Sequence, residues 1–139
     1  QGLGIAGPEI AATSKLDSTA FVAMIQRVVD RYPEMKIVAT TLRDVHSSNR
    51  HSWGAVAWID GKAYVAPVCE LDVYDRVGGG DSFAAGLFYG LMNGESPEEA
   101  VKLGWAHGAL ATTFPGDTTM ATLDQVRAFA KGGSARIQR

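Results

Sequence analysis

Three consecutive glycines, Gly78, Gly79 and Gly80, run directly into Asp81, and no other residues in this chain are better suited to chemistry. Glycine lets the backbone reach positive φ and lets a ligand approach without meeting a Cβ, so several N–H groups can converge on one anion. Beyond the turn, Phe83, Ala84, Leu87, Phe88, Leu91 and Met92 recur at helical spacing. The glycines therefore stand at a helix N-terminus, where unpaired N–H groups and the helix dipole favour negative charge. Asp81 has two readings here: it caps the helix, or its carboxylate takes a proton from a hydroxyl approaching the cradled anion. Cradle plus acid predicts phosphoryl-transfer chemistry. Two familiar phosphate motifs do not fit. A dinucleotide fingerprint requires G-x-G-x-x-G, yet Phe83 occupies the sixth position from Gly78. The Gly-Lys-Ser/Thr string of a P-loop does not occur.

The elements that must position this turn follow from the pattern on either side. Asp17 or Ser18 can cap a first helix whose apolar face is Phe21, Val22, Ile25, Val28 and Val29, ending before Tyr32 and Pro33. A strand over 36–40 follows, and helix then apolar strand is the αβ half of a βαβ unit. In open α/β sheets ligands bind beyond the carboxyl end of the strands, so Thr40, Thr41, Leu42 and Arg43 are expected near a ligand. Residues 43–52 read as the most polar loop. Asp60-Gly61 is a hairpin dipeptide between strands at 53–59 and 62–67, an antiparallel pair expected to interrupt a parallel sheet. Residues 70–74 lead into the glycine turn. Asn93-Gly94 ends the long helix, and Ser96-Pro97-Glu98-Glu99 reads as a capping box with proline at the first helical position. The next helix runs to about Thr112. Gly86, Gly90, Gly104 and Gly108 are expected to let these two helices pack closely. Thr122 with Gln125 opens a last short helix.

Composition fits a globular piece. Of 139 residues, 46% are hydrophobic and 20% charged, and no apolar run is long enough to cross a bilayer. A net charge of −2 and a pI near 5.9 give no electrostatic reason to expect nucleic acid as a partner. An acidic ligand would need local arginines. Cys69 is the only cysteine, expected at a strand end and inert, and its solitude points to the cytoplasm. His46, His51 and His107 lack paired metal-ligand spacing.

The string Asp75-x-x-Gly78-Gly79-Gly80-Asp81, followed by Ser82-Phe83-Ala84-Ala85-Gly86, resembles the carboxy-terminal signature of the ribokinase-like sugar kinases, the PfkB family. Segments 39–43, 52–55, 75–90, 115–117 and 133–139 are most similar to 2-keto-3-deoxygluconate kinases within it. The resemblance implies an α/β fold, the carboxy-terminal portion of a ribokinase-like three-layer α/β/α architecture. Residues 1–139 would be the carboxy-terminal part of the nucleotide-binding and catalytic domain, with the sugar-binding half, its lid and an upstream Asn-x-x-Glu magnesium motif absent. It implies ATP-dependent phosphorylation of a sugar hydroxyl, with ATP, Mg2+ and a sugar acid as ligands, no membrane or nucleic-acid partner, and a parent that forms a homo-oligomer in some members.

Site residues carry over by position. Asp81 takes the place of the base and Gly78, Gly79 and Gly80 that of the anion hole. Thr41, Arg43, His107 and Gly116 are expected on the nucleotide side. Arg76, where the family more commonly has threonine, is expected to contact phosphate or the acidic sugar, or else to pair with Asp75. Asp75 either helps hold a monovalent cation such as K+ or is a structural acid that hydrogen-bonds the turn. His107 and Trp53 also fit simple packing roles. The alternatives are a kinase for another sugar and a nucleotide-binding fragment without activity of its own.

Overall fold

The computed structural model describes residues 17–132; the terminal segment 133–139, which carries part of the resemblance, lies outside the described residues. The elements run α1 (Ser18–Arg31), β1 (Ile37–Val45), β2 (Arg50–Ile59), β3 (Lys62–Asp72), α2 (Gly79–Met92), α3 (Pro97–Ala111) and α4 (Leu123–Ala130). The strands form one antiparallel sheet in the order β1-β2-β3, with α1 on one face and α2, α3 and α4 on the other. This is a three-layer α/β/α arrangement, as expected. Among the described residues no strand pairs in parallel, so the expected interruption of a parallel sheet is here the whole sheet.

Strand alternation divides the core. Leu42 and Val56 point to α1 and pack with Phe21 and Ile25, while Trp53, Ala55, Ala57 and Ile59 point the other way into the larger core. Asp17 caps α1, its carboxylate accepting from the Thr19 N–H at 2.9 Å. Asp60 and Gly61 both have positive φ, 46° and 93°, the signature of a tight hairpin turn whose twist matches its strands.

Four expectations about the sheet are corrected. The strand at 36–40 extends to Val45, and the polar loop at 43–52 shrinks to His46–Asn49, because antiparallel pairing of Arg43 with Trp53 and Asp44 with Ser52 satisfies the backbone of these polar residues. The segments 62–67 and 70–74 join into the single strand β3, the register shift falling between Trp53 and Ala55. Cys69 consequently lies within a strand and not at its end; burial pushes its thiol up to about 12, so it is inert as expected.

The helices follow their caps. Ser96 accepts the Glu99 N–H at 3.3 Å with Pro97 at the first helical position, but the Glu99 carboxylate turns to Lys102, leaving the expected capping box half formed. Thr122 and Gln125 form the complete box. On α2, Phe83 and Leu87 are buried, whereas Phe88 and Met92 are exposed. No helix among the described residues is long and apolar enough to cross a membrane.

α2 and α3 cross with their backbones nearly touching. A Cβ on Gly104 would lie 2.7 Å from the Phe83 carbonyl oxygen, and one on Gly86 would lie 2.8 Å from that of Leu103. Substituting Gly104→Ala should therefore cost about 1–3 kcal/mol through overpacking, read as a lower denaturant midpoint. An unchanged midpoint would show that the helices do not approach this closely.

Candidate active site

The glycine turn is held from three sides. β3 delivers the chain to Tyr74 and Asp75, whose N–H groups donate to the Thr112 carbonyl at the end of α3, at 2.8 and 3.1 Å. The Asp75 carboxylate then spans two loops: Oδ1 accepts the Val77 N–H at 3.0 Å and Oδ2 accepts the Gly116 N–H at 3.1 Å. These bonds stabilise the ionised form and hold the Asp75 carboxyl below the usual carboxylate range. The structural reading of Asp75 accounts for both of its oxygens. No ion pair joins it to Arg76 among the described residues.

Gly78 adopts φ 78°, and a Cβ there would collide with the carbonyl group of Asp117. Only glycine satisfies both constraints. Gly78 is also the residue that caps α2, which corrects one of the two readings of Asp81. Asp81 is the third helical residue, makes no capping bond, and is exposed. The helix begins one turn earlier than a side-chain cap at Asp81 would require, because Gly78 in the left-handed region already breaks the chain direction.

The first helical hydrogen bond runs from Ser82 N–H to the Gly78 carbonyl at 2.8 Å. The amides from Gly78 to Asp81 thus lie outside the helix ladder, at the positive end of the dipole. Gly79 faces inward: a Cβ there would lie 3.3 Å from Thr112 Cγ2. Gly80 faces outward, with nothing within 4 Å of where its Cβ would be. It opens on a groove of about 520 Å³ between β1 and α2, lined also by Ala39, Thr40, Thr41, Phe83 and Ala84.

The structure thus brings Thr41 and Gly80 to one groove, and Asp75, Gly116 and the glycine turn to one hydrogen-bonded knot. Arg43 lies two residues beyond Thr41 on the same strand face, and Arg76 is exposed within the turn. His107 lies apart from that groove. It is half-buried on α3 and lines a separate cavity of about 300 Å³ with Ala85, Gly86, Tyr89, Leu103 and Val126. Its ring bonds the Ser82 backbone in the first turn of α2, and burial lowers its pKa. Trp53 is core, donating its indole N–H to the Trp105 carbonyl at 3.0 Å.

Sequence reasoning passed over His51. Only 3% of it is exposed, and its Nδ1 has no hydrogen-bond partner. Burial and the positive charges of Arg43 and Arg76 lower its pKa. The signal lay in strand alternation, since His51 stands two residues before Trp53 and so shares its inward face.

The bonds of Asp75 give a pH dependence. Because the folded state depresses its pKa, the stabilisation is present above the unfolded value of about 3.9 and is lost as pH falls through the folded value. The gap in denaturant midpoint between wild type and Asp75→Ala should therefore be full near neutrality and should shrink once the pH drops below about 4. A gap that persisted unchanged into strong acid would contradict the role given to the carboxylate.

Residues 52–123 match the model of the pfkB family of carbohydrate kinases. The chain is 40% identical over 86 residues to a 2-dehydro-3-deoxygalactonokinase of Haloferax volcanii, an overlap of 62% of this chain and 27% of that protein. It is 48% identical over 50 residues to a 2-dehydro-3-deoxygluconokinase of Bacillus subtilis, covering 35% of this chain and 15% of the relative. In three dimensions it is similar to the 2-dehydro-3-deoxygluconokinase of Thermotoga maritima, with a TM-score of 0.79, 28% identity, and coverage of 86% of this chain and 36% of that one. The chain spans about a third or less of each of these three proteins. With a match over half its length, centred on the glycine turn and the helices behind it, the chain belongs to the pfkB family of carbohydrate kinases.

Proposed function

We propose that this chain carries the phosphoryl-transfer end of an ATP-dependent kinase whose acceptor is a hydroxyl of 2-keto-3-deoxygluconate or a closely related sugar acid. The observation that carries the proposal is the start of α2: amides outside the helix ladder, an outward-facing Gly80 with open space beside it, and an exposed Asp81 with no capping duty. ATP, when bound, supplies the phosphoryl group. The amides of Gly79, Gly80 and Asp81 would stabilise charge on its transferring oxygens, and the Asp81 carboxylate would take the proton of the acceptor hydroxyl as it attacks.

Other residues take supporting parts. Thr41 and Arg43, on one face of β1, are assigned to the phosphate side, and Arg76 to the side of the acidic sugar. The His107 cavity has the size and apolar lining for an aromatic base, and Gly116 shapes the adjoining turn through its bond to Asp75. Magnesium would ride with the nucleotide, its protein ligands belonging to the upstream Asn-x-x-Glu motif that this sequence does not contain. A monovalent cation at Asp75 would add to the two backbone bonds already there. We take the cytoplasm as the setting, where ATP and sugar acids are both available.

The small share of the relatives that is covered, 27% and 36%, favours a second reading in which these 139 residues bind nucleotide but need a sugar-binding half to turn over. Two substitutions test the site in a protein that contains both halves. Asp81→Asn should lower kcat by about 10²–10⁴ with nucleotide affinity retained; near-normal kcat would refute the base. Gly80→Ala should change stability by less than about 0.5 kcal/mol while reducing turnover, because its side faces the groove and not the core. Full activity in that variant would show that no ligand approaches there.

A further inference from the structure

β-strand register puts His51 and Arg43 on the same face of the sheet. Arg43 pairs with Trp53 and Val45 pairs with His51, so Arg43 and His51 are diagonal cross-strand neighbours, a separation of roughly 7–8 Å that a long side chain can bridge. That face is the one turned to the glycine turn: the ring of Trp53 would lie 3.7 Å from a Cβ on Gly79, and Thr41 lines the same groove as Gly80. His51 is 97% buried by the measure of its 3% exposure, and one ring nitrogen bonds the Ser47 backbone while Nδ1 has no partner. With the other nitrogen carrying the proton, Nδ1 offers a lone pair. A buried acceptor without a donor is costly to keep from water, and the positive charges of Arg43 and Arg76 both act on this ring.

We propose that His51 is a positioning residue whose bare Nδ1 accepts a guanidinium N–H of Arg43 when an anionic group occupies the glycine turn, holding that arginine against the anion. Arginine has five N–H donors in a planar fork, so one edge can be fixed by the imidazole while another meets phosphoryl or carboxylate oxygens. The inference rests on the reading of the turn as an anion site. It assigns a role in ligand binding to a side chain that the proposed chemistry does not otherwise use.

Three variants, made in a protein that contains both halves, separate this from a packing role: His51→Phe, which keeps the ring and removes the acceptor, His51→Asn, whose amide oxygen can reach the Nδ1 position, and Arg43→Ala. Affinity for ATP and for 2-keto-3-deoxygluconate is measured separately by calorimetry, with melting temperature alongside. His51→Phe and Arg43→Ala should each weaken binding of the same ligand by about tenfold, the double variant should be no weaker than either, and His51→Asn should recover most of the loss. Loss confined to ATP assigns the anion to the nucleotide, and loss confined to the sugar acid assigns it to the carboxylate; either supports the proposal. Wild-type binding with unchanged affinity in His51→Phe, or losses that simply add in the double variant, would overturn it while leaving the turn's function intact. Should His51→Phe fail to fold, His51→Leu takes its place in the cycle with Arg43→Ala, since an arginine held by the imidazole must lose its effect once no acceptor remains. Failure of the wild-type chain to bind either ligand would overturn the functional reading and this inference together.

Discussion

The close approach of α2 and α3 is the constraint on which the rest of the structure depends. A Cβ on Gly108 would lie 2.8 Å from the Gly79 carbonyl oxygen and 2.6 Å from the ring of Trp53. The first turn of α2, the last turn of α3 and the inward face of β2 therefore meet at one point that has no room for another carbon atom. Dense packing of this kind transmits position, because interiors close-packed like organic crystals deform little. The glycine turn inherits its location from that contact. Its outward amides are aimed by a helix that cannot shift against its neighbour without a clash.

A second level of control acts on the loops. Asp75 ties the approach to the turn to the loop after α3, and the Thr112 carbonyl receives two amides from the incoming strand end. Turn, loop and helix end are thus one hydrogen-bonded unit. Preorganisation has a cost in conformational entropy that is met during folding, so the amides need not be gathered when an anion arrives. Exposure of Asp81 at the same end leaves its carboxylate without a capping bond, acting on the fold only through its charge at the helix N-terminus, which is the physical contrast between it and Asp75.

Much of this was legible in the sequence where one local rule decided the outcome. Asp60-Gly61, Thr122 with Gln125, and the four helix glycines each announced a geometry that the structure repeats. The legibility failed where partners distant in sequence set the result. Polar Arg43, Asp44, Arg50 and Ser52 look like loop residues alone, yet the β1–β2 ladder takes in Arg43, Asp44 and Ser52, and pairing with Asp72 on β3 takes in Arg50. Asp81 was also ambiguous, since an aspartate at a helix start suits a cap as well as a base; the left-handed Gly78 takes the cap position instead, which local pattern did not reveal. His51 was hidden for a related reason, its burial coming from a face defined by Trp53 and not from its own polarity.

Direct observation of the turn's amides would test the central claim, that the start of α2 is an anion cradle. In a titration of the isotopically labelled protein with ATP, followed by amide nuclear magnetic resonance, the account predicts that the Gly79, Gly80 and Asp81 resonances move together and by more than those elsewhere. If nucleotide binding registered at other positions while these three stayed still, the glycine turn would not be the anion site and the account would fail.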